Sequence, residues 1–440
     1  MSMVVKNNMS AISTLNTLNK NSSALAKSLE KVSSGMKING AADDASGYAI
    51  SERMRVQIRG LDQANSNTQN GNAMMKVAEG AVSSTVDILK TLKEKVINAA
   101  NDTNTDSDRQ TIQKELDQSI DQIDDNANIT YNGKYLVDGS HNNKTNATTT
   151  AMTNESMDAS TIATSKLTAL KSRTGESLNI HSTDNVTISY VKQGRTYTTT
   201  FSVGTEDLTT ILAKTAYNGK DDKISQTLKI SAKTSLIGKD GSANKVYTAD
   251  KGCAVTLTAY TSGVSSQISG FTISITNNKG AINKSANAVL DNFTESIRAQ
   301  NKSEDNAMVF QVGTKANQAI KVGLTDMRST ALGLKGDDGE TLNVSTQVKA
   351  NAAINVLDNA IQKALDQQTT IGSVESRLSY TSSNLTTASE NVQASESTIR
   401  DADMAKEMTN YTKNNVLLQA AQSMLAQANQ SSSSVLSLLQ

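Results

Sequence analysis

The run LDNAIQKALDQQTTIGSVESRLSYTSSNLTTASENVQASESTI, residues 357–399, carries an apolar or small side chain at every seventh position: Leu357, Ala364, Ile371, Leu378, Leu385, Val392 and Ile399. A repeat of seven marks a helix that buries one narrow stripe against another helix. About 43 residues at 1.5 Å each extend about 65 Å, more than an ordinary domain needs. After a break expected at Asp401 to Asp403, Met404, Tyr411, Leu418 and Leu425 resume the period.

The opposite end of the chain answers this pattern. Leu18, Leu25 and Val32 form one seven-residue series; Leu15, Leu29 and Met36 form a second, interrupted by Ser22, and the two together predict an a/d seam. Met75, Val82, Leu89 and Val96 repeat likewise, with Leu92 and Ala99 alongside. A shorter helix is expected from about Ser107 to Asn128, opened by a capping box of Ser107 and Gln110 and faced by Ile112, Leu116, Ile120 and Ile123.

The middle changes character. From about Ser140 to Asn306 the chain is rich in Thr, Ser, Asn and Lys, with alternating runs at Val186–Tyr190 and Phe271–Ile275 and a turn signal at Asp240-Gly241. Residues 141–165 are polar enough to predict a loosely ordered linker in part. Asn132-Gly133 predicts a tight hairpin, and Val309 to Leu324 a second strand region. The fold class expected is mainly α, a long coiled-coil helical hairpin of N- and C-terminal segments carrying an inserted β-rich domain. The expected division is 1–40 with 400–440, 41–140 with 306–399, and 141–305.

Composition narrows the function. Lys plus Arg and Asp plus Glu are 43 each, so no basic field is present to hold nucleic acid. Aromatic content is 3%, with no Trp, so cores must be built from aliphatic residues and Met. The absence of proline, where average usage predicts roughly 22, suits long unkinked helices and folding without a wait on X-Pro isomerisation. The single cysteine, Cys253, reads as a small buried hydrophobe. Residues 1–8 do not resemble a cleaved secretory signal, and no apolar run is long enough for a membrane span. The two histidines, His141 and His181, stand in unrelated contexts, which excludes a His-Glu-x-x-His metal site. No phosphate loop or nucleophile elbow is present. Asp221 and Asp222 are expected to be solvated. Neither an enzyme nor a cofactor is expected. Stripes this narrow at both ends cannot close a bundle alone, so they predict pairing with further copies.

Two stretches then carry a family. Leu29-Glu30-Lys31-Val32-Ser33-Ser34-Gly35-Met36-Lys37-Ile38-Asn39 and Ala41-Ala42-Asp43-Asp44-Ala45-Ser46-Gly47 through Ser51-Glu52-Arg53-Met54-Arg55 closely resemble the N-terminal signature of bacterial flagellin. Gln57-Ile58-Arg59-Gly60-Leu61, Phe310-Gln311-Val312-Gly313 through Asp326-Met327-Arg328, and Val435-Leu436-Ser437-Leu438-Leu439 extend the likeness over about the first 140 and last 135 residues. The resemblance implies a subunit of the flagellar filament, exported unfolded and assembled outside the cell. Its termini would lie in the inner tube and its insertion on the outer face. It implies that Asp43, Asp44, Glu52, Arg53, Arg55 and Arg59 join Leu15, Leu18, Leu25, Leu29, Val32, Met404, Tyr411, Leu418 and Leu425 in subunit contacts. Implied partners are further copies of the chain, a flagellar export chaperone, and hook-filament junction and cap proteins.

Family members are also bound by the host Toll-like receptor for flagellin. The corresponding patch here is Leu89, Lys90, Thr91, Lys93, Glu94, Lys95 and Glu115. Strong agonists carry Arg where Thr91 stands and Leu where Lys95 stands, so weak signalling is expected. Val435, Leu436, Leu438 and Leu439 resemble the tail read by inflammasome sensors. A hook-associated axial protein or a surface adhesin is the alternative.

Overall fold

The computed structural model describes residues 8–162, 164–214, 236–248 and 253–437. Asp221, Asp222, Leu438, Leu439 and the segment before Asn8 lie outside them. The helices are α1 (Met9–Ser34), α2 (Ala45–Ala99), α3 (Asp106–Ala127), α4 (Leu208–Lys214), α5 (Lys284–Leu290), α6 (Ser329–Leu332), α7 (Gln347–Arg400) and α8 (Met404–Ser437). The strands are β1 (Thr130–Tyr131), β2 (Lys134–Tyr135), β3 (Ala151–Met157), β4 (Asn185–Lys192), β5 (Arg195–Ser202), β6 (Leu236–Lys239), β7 (Lys245–Tyr247), β8 (Cys253–Thr258), β9 (Ile268–Thr276), β10 (Thr294–Ile297), β11 (Met308–Gln311) and β12 (Ala319–Val322). The chain divides into two compact units: Met1–Gln69 with Gln311–Gln318 and Tyr380–Gln440, and Asn70–Phe310 with Ala319–Ser379.

In the first unit α1 and α8 run antiparallel. The amide of Asn8 donates to the Ala428 carbonyl at 3.2 Å, that of Asn21 to Leu417 at 3.2 Å, and that of Asn414 to the Ser28 hydroxyl at 3.0 Å. The seam takes Ala11, Thr14, Leu18, Asn21, Leu25, Ser28 and Val32 from α1, with Ala24 and Lys31 partly covered beside them, and Glu407, Tyr411, Asn414, Leu418, Ala421, Leu425 and Ala428 from α8, with Asn410 and Asn415 partly covered beside them. Both sets step by three and four, the spacing of a coiled-coil seam. The expected series Leu18, Leu25 and Val32 lies in it, as do Tyr411, Leu418 and Leu425. The second expected series does not: Leu15 is 45% exposed and Leu29 52%, because Thr14, Asn21 and Ser28, one residue earlier, take the seam. The reason lies on α8, whose facing row is Asn414 followed by the small Ala421 and Ala428. That row admits close approach and amide hydrogen bonds but leaves no hole for a second line of leucines. Also within this unit, α2 meets α7 through Leu61, Ala64 and Leu385, with Ala388 and Val392 packed against them.

In the second unit the expected rows are buried, except that Ile112 of α3 is only partly covered. Met75, Val82, Leu89 and Val96 of α2, Leu116, Ile120 and Ile123 of α3, and Leu357, Ala364, Ile371 and Leu378 of α7 are all closed to solvent. Helix α7 begins ten residues earlier than its heptad series, and α3 begins earlier than expected. The cap of α3 is Thr105, not Ser107: Thr105 Oγ accepts from Asp108 N–H at 3.3 Å, and the Asp108 carboxylate accepts from Thr105 N–H at 2.9 Å. Asp108 is ionised at neutral pH and strengthens the reciprocal bond, so the Thr-x-x-Asp box outcompetes Ser107 with Gln110.

Asn132 (φ 50°) and Gly133 (φ 75°) both sit in the left-handed region that the β1–β2 hairpin turn requires, as the Asn-Gly pair predicts. β11 and β12 pair as a second short hairpin. The insertion holds two three-stranded sheets, ordered β5-β4-β9 and β10-β3-β8, over one apolar core that includes Val186, Ile188, Tyr190, Phe271, Ile273, Val255 and Leu257. The linker expected within 141–165 is corrected in part: β3 is the buried central strand of its sheet. Its polar residues are used inside, Thr153 pairing with Thr256 at 3.2 Å and the Asn154 amide donating to Val289 and Leu290 carbonyls. The insertion docks on α7 where Gly270 of β9 lies against Val356; a Cβ at Gly270 would stand 2.7 Å from a Val356 methyl. Asn355 and Asn359 donate across this contact to Phe271 and Ser269 carbonyls.

Candidate assembly interface

The signature segment between α1 and α2 folds against the α7–α8 turn of the same unit. Lys37 N–H donates to the Arg400 carbonyl at 2.7 Å, and Ala402 N–H to the Gly35 carbonyl at 2.9 Å, tying the two turns by their backbones. Arg400 is buried within them. It donates to Glu52 Oε1 at 2.5 Å and to Ser51 Oγ at 3.4 Å, and lies 5.4 Å from the centre of the Tyr48 ring. The Arg400 hydrogen bond, supported by the charges of Arg400, Arg55 and Arg59, holds the Glu52 carboxyl below its ordinary pKa. One turn on, Arg55 Nε pairs with Glu396 at 3.3 Å.

The charged residues assigned to subunit contacts are thus placed as follows. Asp43 accepts from Asn39 N–H, and Asp44 from Ser46 and Gly47 N–H at 3.0 Å each, so both shape the start of α2. Glu52 and Arg55 are engaged within the unit. Arg53 and Arg59 project to solvent. Arg400 and Glu396 were missed by the sequence reading; the signal for them was the carboxylate and guanidinium of Glu52 and Arg55, set one helical turn apart on a helix with an antiparallel neighbour.

Around the seam of α1 and α8 the flanks are apolar and uncovered. Ile12, Leu15 and Leu29 on α1, and Met408, Val416, Leu417 and Met424 on α8, are all exposed. Met404, expected in the seam, is exposed as well. A soluble chain rarely shows this many large apolar side chains along one helix pair. Val435 and Leu436 fall in the last turns of α8.

Of the residues expected in the receptor patch, Leu89 is fully buried, because it holds the a/d position facing the interior of the second unit. Thr91 and Glu94 are exposed. Lys90 pairs with Asp87 at 3.2 Å, Lys95 with Glu115 at 3.0 Å, and Lys93 with Asp358.

Cys253 is buried, donates its thiol to the Thr161 carbonyl, and is pushed up to about 11 by burial. Among the described residues no helix is long and apolar enough to cross a membrane, and no cluster of His, Cys, Asp and Glu could hold a metal ion.

The arrangement defines a structural subunit: two chain ends paired along a seam, with apolar flanks beside it. Comparison with known proteins gives its family. Residues 5–142 match the bacterial flagellin N-terminal helical region, and residues 354–439 the bacterial flagellin C-terminal helical region. The chain is 34% identical to a flagellin of Clostridium tyrobutyricum, over 97% of this chain and 99% of the relative. It is 30% identical to a flagellin of Bacillus subtilis strain 168, over 99% and 100% respectively. It is 28% identical to the flagellar filament 33 kDa core protein of Treponema phagedenis, over the same shares. The chain belongs to the bacterial flagellin family, whose members are structural subunits of the flagellar filament and not enzymes.

Proposed function

We propose that this chain polymerises with copies of itself into the helical flagellar filament used for swimming, the exposed apolar flanks of α1 and α8 being covered by neighbouring subunits. The observation that carries this reading is the exposure of Leu15, Leu29, Leu417 and Met424 beside a seam already filled. Covering such groups is favourable by about 25 cal/mol per Å². Copies joined head to tail in an open arrangement grow into a fibre. In this reading residues 1–40 and 400–440 form the inner filament core, 41–140 and 306–399 the helical shell, and 141–305 the outer surface. The chain is exported unfolded, through an export chaperone, and meets junction and cap proteins at the growing structure.

Thr145 and Ser303 exchange backbone hydrogen bonds at 3.1 and 3.0 Å, so excising residues 146–302 joins neighbours already side by side. The shortened chain should still extend seeds into tubes visible by electron microscopy. An adhesin would lose its activity instead, and failure of the full-length chain to extend any seed would reject the filament reading.

Toll-like receptor signalling by this chain should be weak. Thr91 offers no guanidinium anchor, and Lys93 and Lys95 are held in intramolecular ion pairs. Titration of monomer on reporter cells tests this; potency equal to a strong agonist would refute it. Recognition of the Val435–Leu439 tail by inflammasome sensors is proposed on the resemblance alone.

A further inference from the structure

The methionines divide sharply by place. Met74, Met75, Met152, Met157, Met308 and Met327 are buried. Met9, Met404, Met408 and Met424 are 70%, 42%, 46% and 62% exposed, and all four lie on α1 or α8. Met36 and Met54, also in the first unit, are half-buried, and the Met36 sulfur accepts from Arg400 Nε at 3.2 Å, which occupies one lone pair. Met1 and Met3 lie outside the described residues.

A thioether is apolar and adaptable, which suits a surface that must repack against a neighbour. It is also the side chain most simply turned polar by an oxidant. We propose that Met9, Met404, Met408 and Met424 are an oxidation-sensitive site through which peroxide blocks assembly of the free subunit. Sulfur donates a lone pair to one peroxide oxygen as the O–O bond breaks. The hydroxyl proton on the transferred oxygen passes to the departing hydroxide, leaving sulfoxide and water. Sulfur is oxidised by two electrons and the peroxide reduced by two. The sulfoxide is a strong acceptor that would be buried without a donor on an apolar flank, a placement that opposes association. The same burial shields the sulfurs once a filament has formed, so the exposed state is the vulnerable one. This inference rests on the proposal that neighbouring copies cover these flanks.

The test uses full-length protein, unassembled and assembled, with dilute hydrogen peroxide. In the unassembled chain, peptide mass spectrometry should find one added oxygen at each of the four exposed methionines well before the six buried ones, which serve as internal controls. Seeded growth should then need about tenfold more monomer or worse, as expected when polar groups are buried unpaired. Methionine sulfoxide reductases should restore it. Preformed filaments under the same peroxide should keep the four sulfurs reduced. A chain carrying Met9→Leu, Met404→Leu, Met408→Leu and Met424→Leu, of conserved volume, should grow like the untreated parent both before and after peroxide. Sulfoxides at all four positions with unchanged growth would overturn the proposal, as would equal loss of growth in parent and leucine variant. Absence of growth in untreated parent protein would instead sink the filament reading, and the blocking effect with it, while the mass pattern still decides which sulfurs react.

Discussion

Arg400 shows how much one residue can carry when the α1–α2 connection and the first turns of α2 converge on it. Its backbone carbonyl takes Lys37 N–H, its guanidinium takes Glu52 and Ser51, and Tyr48 lies beside it. Arg400→Gln should keep the helix but lose the charge-assisted bond, and amide hydrogen exchange over residues 35–52 should quicken while the second unit is unchanged. Glu52 has its pKa lowered, so its contribution is present above the ordinary value of 4.5 and is lost as the pH falls through the lower folded value. Asp291 behaves in the opposite sense. Burial raises its carboxyl from 3.8 to about 7, partly offset by the hydrogen bond it accepts from Ile273 N–H. The folded state therefore holds the proton more tightly. Its contribution is complete below pH 3.8 and is lost as the pH rises through about 7, on the order of 2–4 kcal/mol in total. Asp291→Asn keeps an acceptor for Ile273 and should remove this slope from urea melts recorded between pH 4 and 8.

At the scale of elements, capping and close packing make sharper predictions than helix length does. Thr105→Ala should cost about 1 kcal/mol in denaturant melts, and Ser107→Ala close to nothing, since only the first closes the capping box. Gly270→Ala would drive a methyl into Val356 and towards its backbone nitrogen, and should destabilise the second unit by about 1–3 kcal/mol. The helices and the Asn-Gly hairpin were legible in the sequence because periodicity and turn chemistry are local properties. β3 was not, because Thr153 and Asn154 look like linker residues until Thr256 and the end of α5 supply their partners.

At the scale of the whole molecule, the flank and the seam have separable roles. Leu15→Ser with Leu29→Ser should leave the circular dichroism melt of the monomer nearly unchanged and suppress seeded growth, because these side chains are exposed in the single chain. Leu18→Ser with Leu25→Ser should instead loosen the α1–α8 pair itself, read as faster hydrogen exchange along both helices. Equal behaviour of the two double variants in both measurements would contradict the division.

The sequence alone determined that long helices with heptad stripes bracket a β-rich insertion, since a period of seven or two is written residue by residue and needs no partner to be read. It also placed the family signature, although the charges within it were assigned outward. Only the tertiary structure decided which of two neighbouring stripes on α1 turns inward, and that Glu52 and Arg55 bind Arg400 and Glu396. Those outcomes depend on the size and hydrogen-bonding capacity of side chains hundreds of residues away, and one residue of rotation about a helix is enough to exchange an inner row for an outer one.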